Sequence, residues 1–281
     1  MDANELRDGE PQLIDVMHLG NARVIGAWRV GDVLIDPGPS SSVGTLLGAL
    51  DAAPPRAIAL THIHLDHAGA AGTLARRYPE AEVWVHERGA PHMIDPTKLL
   101  ASAGRLYGAE MDRLWGEFLA VPAERIRVLH GGERLGPFRV AYTPGHASHH
   151  VSYLHEPSGT AFAGDVAGVR IGGGPVIAPT PPPDIDLDAW RASLTAIEAW
   201  RPRRLAVTHF GAHDDVAAQL GALREHLDEV EQWAAQGDPA SFVQRMRARV
   251  AGEAAYAHAL PPEQSYQGLT RYLSKRRAAD L

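Results

Sequence analysis

The chain has 281 residues, of which 45% are hydrophobic and 22% charged, enough apolar content for a buried core and too little charge for bulk disorder. A net charge of −7 does not concentrate phosphate backbones and argues against a nucleic-acid partner. Cysteine is absent, which excludes disulfides, thiolate metal ligands and a cysteine nucleophile.

In chain order, Met1–Pro11 is polar and acidic and lacks the charged-then-apolar pattern of a signal peptide. Ala22–Val30, the turn Gly31-Asp32 and Val33–Ile35 read as a hairpin, which Asp36-Pro37-Gly38 breaks. Val43–Leu50 is expected to be a short helix, and Ala57–Leu60, after Pro54-Pro55, a buried strand running straight into His62. Gly69–Arg77 reads as a helix stopped by Pro79, and Val83–Val85 as a strand. Residues 87–124 change character: Leu99, Leu106, Met111, Leu114 and Phe118 recur at helical spacing and predict a helical insertion. Strands return at Arg139–Tyr142, Val151–Leu154 and Ala161–Ala163. A Gly/Pro-rich stretch, Gly172–Pro183, precedes an amphipathic helix carrying Leu187, Trp190, Leu194 and Ile197, capped by Asp186 or Asp188 and ended by Pro202. Leu205–Val207 is a strand leading to His209, and everything beyond Asp214 reads as helical. Alternating strand, loop and helix in both halves predicts an α/β architecture with helices outside packed sheets. No apolar run approaches about 18 residues, so no membrane span is expected; the sequence reads as one domain over 1–281, cytoplasmic, with a homodimer left open.

His62, His64, Asp66 and His67 put four ligand types within one short run. On a helix, His62 and His64 would be separated by about 200° of rotation, so a loop at a strand end must turn them inward. Imidazole and carboxylate suit zinc and other divalent first-row ions. Three further candidates also follow strands: His146 in Thr-Pro-Gly-His, Asp165 in Phe-Ala-Gly-Asp and His209 in Thr-His-Phe-Gly. In open α/β sheets, function gathers at strand ends. Five histidines and two aspartates suffice for two ions with one carboxylate shared.

The run His62-x-His64-x-Asp66-His67, followed by Gly-His146, Gly-Asp165 and a late His209, resembles the metallo-β-lactamase superfamily over roughly residues 22–211. It is closer to the glyoxalase II-like and lactonase-like branches than to dinuclear antibiotic lactamases, whose cysteine ligand this chain lacks. The resemblance implies a four-layer αβ/βα sandwich of two mixed sheets, with the helical insertion at about 87–124 and the helical segment at about 214–281 added. It implies that His62, His64 and His146 hold one metal, that Asp66, His67 and His209 hold the other, and that Asp165 bridges them. It also implies that Asp36, in Asp36-Pro37-Gly38, supports the metal loop from behind. Two divalent ions are expected, zinc first, with iron or manganese as alternatives. A shared water, acidified by both ions, would attack a carbonyl, and Asp66 would orient it or carry a proton.

The expected activity is hydrolysis of an ester, thioester or lactone in a small-molecule substrate. The tyrosine that quorum-sensing lactonases carry three residues after the bridging aspartate is Gly168 here, and a glutathione-binding set of cations is not evident after Asp214. Two alternatives come from the same resemblance: a one-iron persulfide dioxygenase using His62, His146 and Asp165, and a phosphodiesterase or nuclease, which the acidic balance disfavours. Of the remaining residues, His18, His213 and Tyr107 are expected near the pocket by position, and His149 and His150 either face it or serve a turn. His86, His92, His130, His155, His226 and His258 read as surface or core histidines.

Overall fold

The structure is a computed structural model that describes residues 6–50 and 54–279; the first five residues of the polar N-terminal stretch lie outside them. Two six-stranded sheets face each other. The first has the order β1 (Gln12–Asp15), β2 (Gly26–Val30), β3 (Val33–Ile35), β4 (Ala57–Ala59), β5 (Glu82–His86), β6 (Ile126–Leu129). The second runs from β7 (Arg134–Leu135) through β8 (Phe138–Tyr142), β9 (Val151–His155), β10 (Thr160–Phe162) and β11 (Arg204–Val207) to β12 (Gly211–His213). Both are mixed: β3, β4, β5 and β6 are mutually parallel, as are β10 and β11, while the other pairs are antiparallel.

Period-2 alternation explains why the sheets stack. Trp28, Val33, Ile35 and Trp84 from the first sheet meet Phe138, Tyr153 and Phe162 from the second in one inter-sheet core. The intervening residues, such as Leu34, Ile58, Val83 and Leu205, join the helices in a second, larger core. Hydrogen bonds also tie the sheets together, among them Trp28 Nε1–H to the Val207 carbonyl at 3.2 Å, Tyr153 O–H to the Leu60 carbonyl at 2.8 Å and Val151 N–H to the Thr61 carbonyl at 2.8 Å. The architecture is therefore the expected αβ/βα sandwich.

The helices are α1 (Val43–Leu50), α2 (Leu65–Ala68), α3 (Ala71–Arg77), α4 (Ala90–Ile94), α5 (Thr97–Tyr107), α6 (Met111–Trp115), α7 (Leu187–Ala199), α8 (Val216–Ala235), α9 (Pro239–Arg249), α10 (Ala255–Ala259) and α11 (Pro262–Ala279). The Asp186 side chain caps α7 by accepting from Ala189 N–H at 3.0 Å. The insertion is mostly helical, as expected; its α-helices end at Trp115 and residues 116–122 are irregular, because Gly116 takes a positive φ of 69° where its Cβ would meet the Ser41 backbone at 2.7 Å. The short strands β1, β6, β7 and β12 were not expected. Among the described residues, no helix is long and apolar enough to cross a membrane.

One buried histidine makes stability depend on pH away from any metal ligand. His226, on α8, accepts from Ala178 N–H through Nδ1 at 3.0 Å, which leaves Nε2–H without a partner. Burial, reinforced by Arg249, pushes its pKa down to about 3. An unfolded imidazole titrates near 6.5, so below that value the unfolded chain binds a proton that the folded chain refuses. Stability is then lost as pH falls from about 6.5 toward about 3. His226→Gln keeps an acceptor for Ala178 and should remove about 2 kcal/mol of the loss between about pH 7 and about pH 5. Urea unfolding in chelator reads this directly; an unaltered pH slope would contradict it.

Candidate metal centre

The sheet directions bring the ligand types to one edge. β3 and β4 are parallel, and their carboxyl ends deliver Asp36 and Thr61-His62. β8, β10 and β11 also run in a common direction, because β9 is antiparallel to both β8 and β10, and β10 is parallel to β11. Their carboxyl ends lead to His146, Asp165 and His209. The His62–His64 stretch is a loop, as expected, but Asp66 and His67 lie on the single helical turn α2. Two glycines of the motifs are sterically required. A Cβ on Gly145 (φ 141°) would sit 2.3 Å from Trp190 Cα, where α7 packs against the His146 loop. One on Gly164 (φ 44°) would sit 2.5 Å from Thr61 Oγ1.

All seven expected residues come together. His64 Nδ1 lies 3.0 Å from His62 Nε2 and 2.9 Å from His146 Nε2. Around one tetrahedral zinc, ligand nitrogens stand about 3.3 Å apart, so this trio is already close to the spacing of a coordination face. His209 Nε2 is 3.3 Å and His67 Nε2 3.8 Å from Asp66 Oδ2, forming a second group. Asp165 stands between them: Oδ1 is 3.3 Å from His67 Nε2 and 3.7 Å from His209 Nε2, while Oδ2 is 3.4 Å from His146 Nε2.

Hydrogen bonds behind the rings fix which nitrogen faces inward. His146 Nδ1–H donates to the Pro179 carbonyl at 2.8 Å and His209 Nδ1–H to the Val24 carbonyl at 2.6 Å. His67 Nδ1–H donates to Asp36 Oδ2 at 2.9 Å. Asp36 also accepts from Thr61 N–H at 2.8 Å, Thr61 O–H at 2.7 Å and Thr208 O–H at 3.2 Å. Because the Thr61 hydroxyl donates to Asp36, it is left to accept from His62 Nδ1–H at 3.0 Å. Each of these rings is thereby held with Nε2 toward the centre. Asp36 thus touches both halves of the site without entering it, the position expected of it.

The electrostatics suit cations. Burial, with His64, His67 and His146 nearby, holds His62 well below the usual imidazole range; burial and His146 push His64 down to about 3, and burial lowers His146. These three rings are neutral at neutral pH, the state that can ligate. At the second group burial acts the same way, but the Asp165 and Asp66 carboxylates outweigh it and raise His67 and His209. Burial pushes Asp66 and Asp165 up in turn, and the neighbouring His67 and His209 overcome it and lower both. Two carboxylates that draw positive charge onto buried rings would serve a metal ion equally. His67 Nε2 and Asp165 Oδ1 are buried and, although 3.3 Å apart, not aligned as a hydrogen bond, so each lacks a partner. Buried polar atoms without partners are costly, and a shared metal would satisfy both. The donor set therefore fits two divalent ions.

A cavity of about 280 Å³ opens over His64, Asp66, His146, Asp165 and His209. Asp66 is the partly exposed carboxylate of the set, with 22% of its side chain accessible. His18 and Tyr107 line the cavity, as expected; His18 stacks on Trp115 at 5.6 Å and 11°, and Tyr107 meets the same indole edge-on at 5.1 Å. His213 is absent from the lining. His149 and His150 pack behind His62, where their rings stack on its ring at 6.2 and 5.1 Å. His258, expected to be an ordinary surface or core residue, lines the cavity with Leu260, Gln264 and Ser265; no motif in the tail marks it, because only the return of the chain after α9 brings it there.

Five imidazoles and two carboxylates at one edge of an αβ/βα sandwich define a candidate dinuclear metal protein. The profile of the Metallo-beta-lactamase superfamily matches residues 30–213, and the chain belongs to that superfamily, made up mostly of hydrolases. The metallo-beta-lactamase fold-containing protein ST1585 of Sulfurisphaera tokodaii is 32% identical over 207 residues, covering 70% of this chain and 74% of that one. Its crystal structure, described as from Sulfolobus tokodaii, superposes with a TM-score of 0.71 at 24% identity over 94% of this chain and 99% of its own. The protein TTHA1623, solved in a di-iron-bound form, has a TM-score of 0.55 at 26% identity, with 78% and 95% of the two chains covered. The hydroxyacylglutathione hydrolase of Yersinia enterocolitica is 30% identical over 145 residues, 49% of this chain and 45% of that enzyme.

Proposed function

We propose that the protein is a two-metal hydrolase that cleaves an ester, thioester or lactone. The observation that carries this reading is Asp165, whose two oxygens face the two separate ligand groups. When bound, a pair of divalent cations supplies acidified water near neutral pH and positive charge for the developing oxyanion. The residues would divide the work as follows. His62 Nε2, His64 Nδ1 and His146 Nε2 hold one ion, Asp66, His67 and His209 hold the other, and Asp165 joins them. Asp66 borders the cavity, where its carboxylate orients the attacking water and carries its proton toward the leaving group. Water adds to the acyl carbon, the bond to the leaving oxygen or sulfur breaks, and an acid and an alcohol or thiol result.

Zinc suits the donor set, and the di-iron form of TTHA1623 makes iron the next choice. A one-iron dioxygenase would need His62, His146 and Asp165 alone and would leave the Asp66, His67 and His209 group without a role. The reading is tested by assaying purified protein against p-nitrophenyl esters, lactones, thioesters and a phosphodiester. Hydrolysis that is abolished by chelation and restored by zinc or iron is expected. Phosphodiester cleavage alone, or oxygen uptake with a persulfide in place of hydrolysis, would overturn it.

A further inference from the structure

We propose that the cavity selects a carboxylic ester or lactone whose acyl side is compact, apolar and uncharged. This rests on the hydrolase reading and adds the substrate class. Away from the metal-binding edge, the wall is built by Val24, Ile25, Leu99, Leu106, Trp115 and Leu260. They come from three distant segments: the loop before β2, the α5–α6 insertion, and the turn between α10 and α11. The first and the last lie outside the span matched by the superfamily profile. The stacked His18 and Trp115 rings, braced by Tyr107, give it a flat face.

No arginine or lysine lines the cavity among the described residues. On the flanking segments, Arg23 is paired with Glu253 and Arg113 with Glu110, while Lys98 and Arg105 of α5 are exposed and outside the lining. The lining also carries Ser102, Tyr107, Gln264 and Ser265 and the imidazoles of His18 and His258, but no guanidinium or ammonium, so a carboxylate on the acyl group would give up water without a permanent cation to meet it, which is unfavourable. The only strong positive charge available would be that of the two ions, which the reacting carbonyl occupies. The volume of about 280 Å³ lies at the lower edge of ligand pockets, about 300–1,000 Å³, and matches a small acyl group rather than a tripeptide conjugate such as a glutathione thioester.

The test uses metal-loaded protein and matched p-nitrophenyl esters: acetate, butyrate, hexanoate and the anionic hemisuccinate, with S-lactoylglutathione as the tripeptide thioester. Each methylene that enters the cavity should raise kcat/KM about three- to fourfold, from about 0.8 kcal/mol per buried methylene. Butyrate should exceed hemisuccinate by about tenfold or more. Ala103→Arg, on the cavity face of α5, should narrow that gap with metal content unchanged. A hemisuccinate or glutathione thioester turned over better than butyrate by the wild type would overturn the proposal. A second arm does not need turnover: Trp115 fluorescence of metal-free protein, with Trp115→Phe as control, is titrated with ethyl butyrate and with monoethyl succinate. Tighter binding of ethyl butyrate supports the proposal even if no ester, thioester or lactone is hydrolysed, the outcome that defeats the hydrolase reading. Equal or reversed binding defeats the proposal.

Discussion

Asp165→Ala is expected to lose both ions and at least about a thousandfold in kcat/KM, because one side chain serves both halves of the site. The loss should not be shared out evenly among the ligands. Removing His64 takes one nitrogen from one group, but removing Asp165 takes Oδ1 from His67 and His209 and Oδ2 from His146 at once. It also removes a carboxylate that offsets burial at His67 and His209, so both rings become poorer at holding positive charge. The fold should survive, since the backbone around residue 165 is held by other contacts: Val166 N–H donates to the Ala163 carbonyl and Gly168 N–H to the residue-165 carbonyl. Metal analysis and circular dichroism on the same sample separate the cases. A folded variant that keeps two ions and full activity contradicts the bridging role.

Asp36→Asn should weaken metal binding about ten- to a hundredfold and lower the stability of metal-free protein by about 2–4 kcal/mol. The carboxylate accepts four hydrogen bonds, from Thr61 N–H, Thr61 O–H, His67 Nδ1–H and Thr208 O–H, and is 1% exposed. An amide can present one oxygen to these donors; its NH₂ must then face hydrogens that the carboxylate accepted. Three of the four donors, His67 Nδ1–H, Thr61 O–H and Thr208 O–H, meet at Oδ2, so the amide oxygen takes that place and holds them more weakly than a carboxylate, while the NH₂ faces the Thr61 backbone N–H, which loses its acceptor and loosens the turn that carries His62. Asparagine is the informative replacement because residue 36 has a φ of 47°, a left-handed conformation that Asn tolerates and Ala resists. Urea unfolding in chelator and competitive metal titration measure the two effects. Wild-type values in both would show that Asp36 is dispensable to the loop.

The site was legible in the sequence because each ligand follows a short apolar run ending in a Gly, Pro or Thr turn, and a strand end is where an α/β sheet exposes side chains. The αβ/βα layering was legible for a similar reason, since hydrophobic positions recur with the strand period in one place and the helix period in another. The strands that escaped notice had little pattern to offer. Arg134–Leu135 of β7 and Gly211–His213 of β12 are too short to alternate, and β6 follows an insertion whose helical spacing masks it. The helical pattern in that insertion likewise extends past Trp115, where Phe118 and Val121 are buried from irregular backbone. The cavity wall was the least legible part. Val24, Leu106 and Leu260 are ordinary apolar residues far apart in the chain, and His258 reaches the cavity only through the packing of α8, α9 and α11. Ligands announce themselves by residue type, whereas a pocket is a product of tertiary contact.

The number of ions bound per chain tests the two-metal account most directly. Protein stripped by chelation, reloaded with excess zinc or iron(II) and freed of unbound metal should hold two ions per chain, one for each group that Asp165 joins. A plateau at one ion in the presence of excess metal would contradict the account, because the Asp66, His67 and His209 group would then have no occupant.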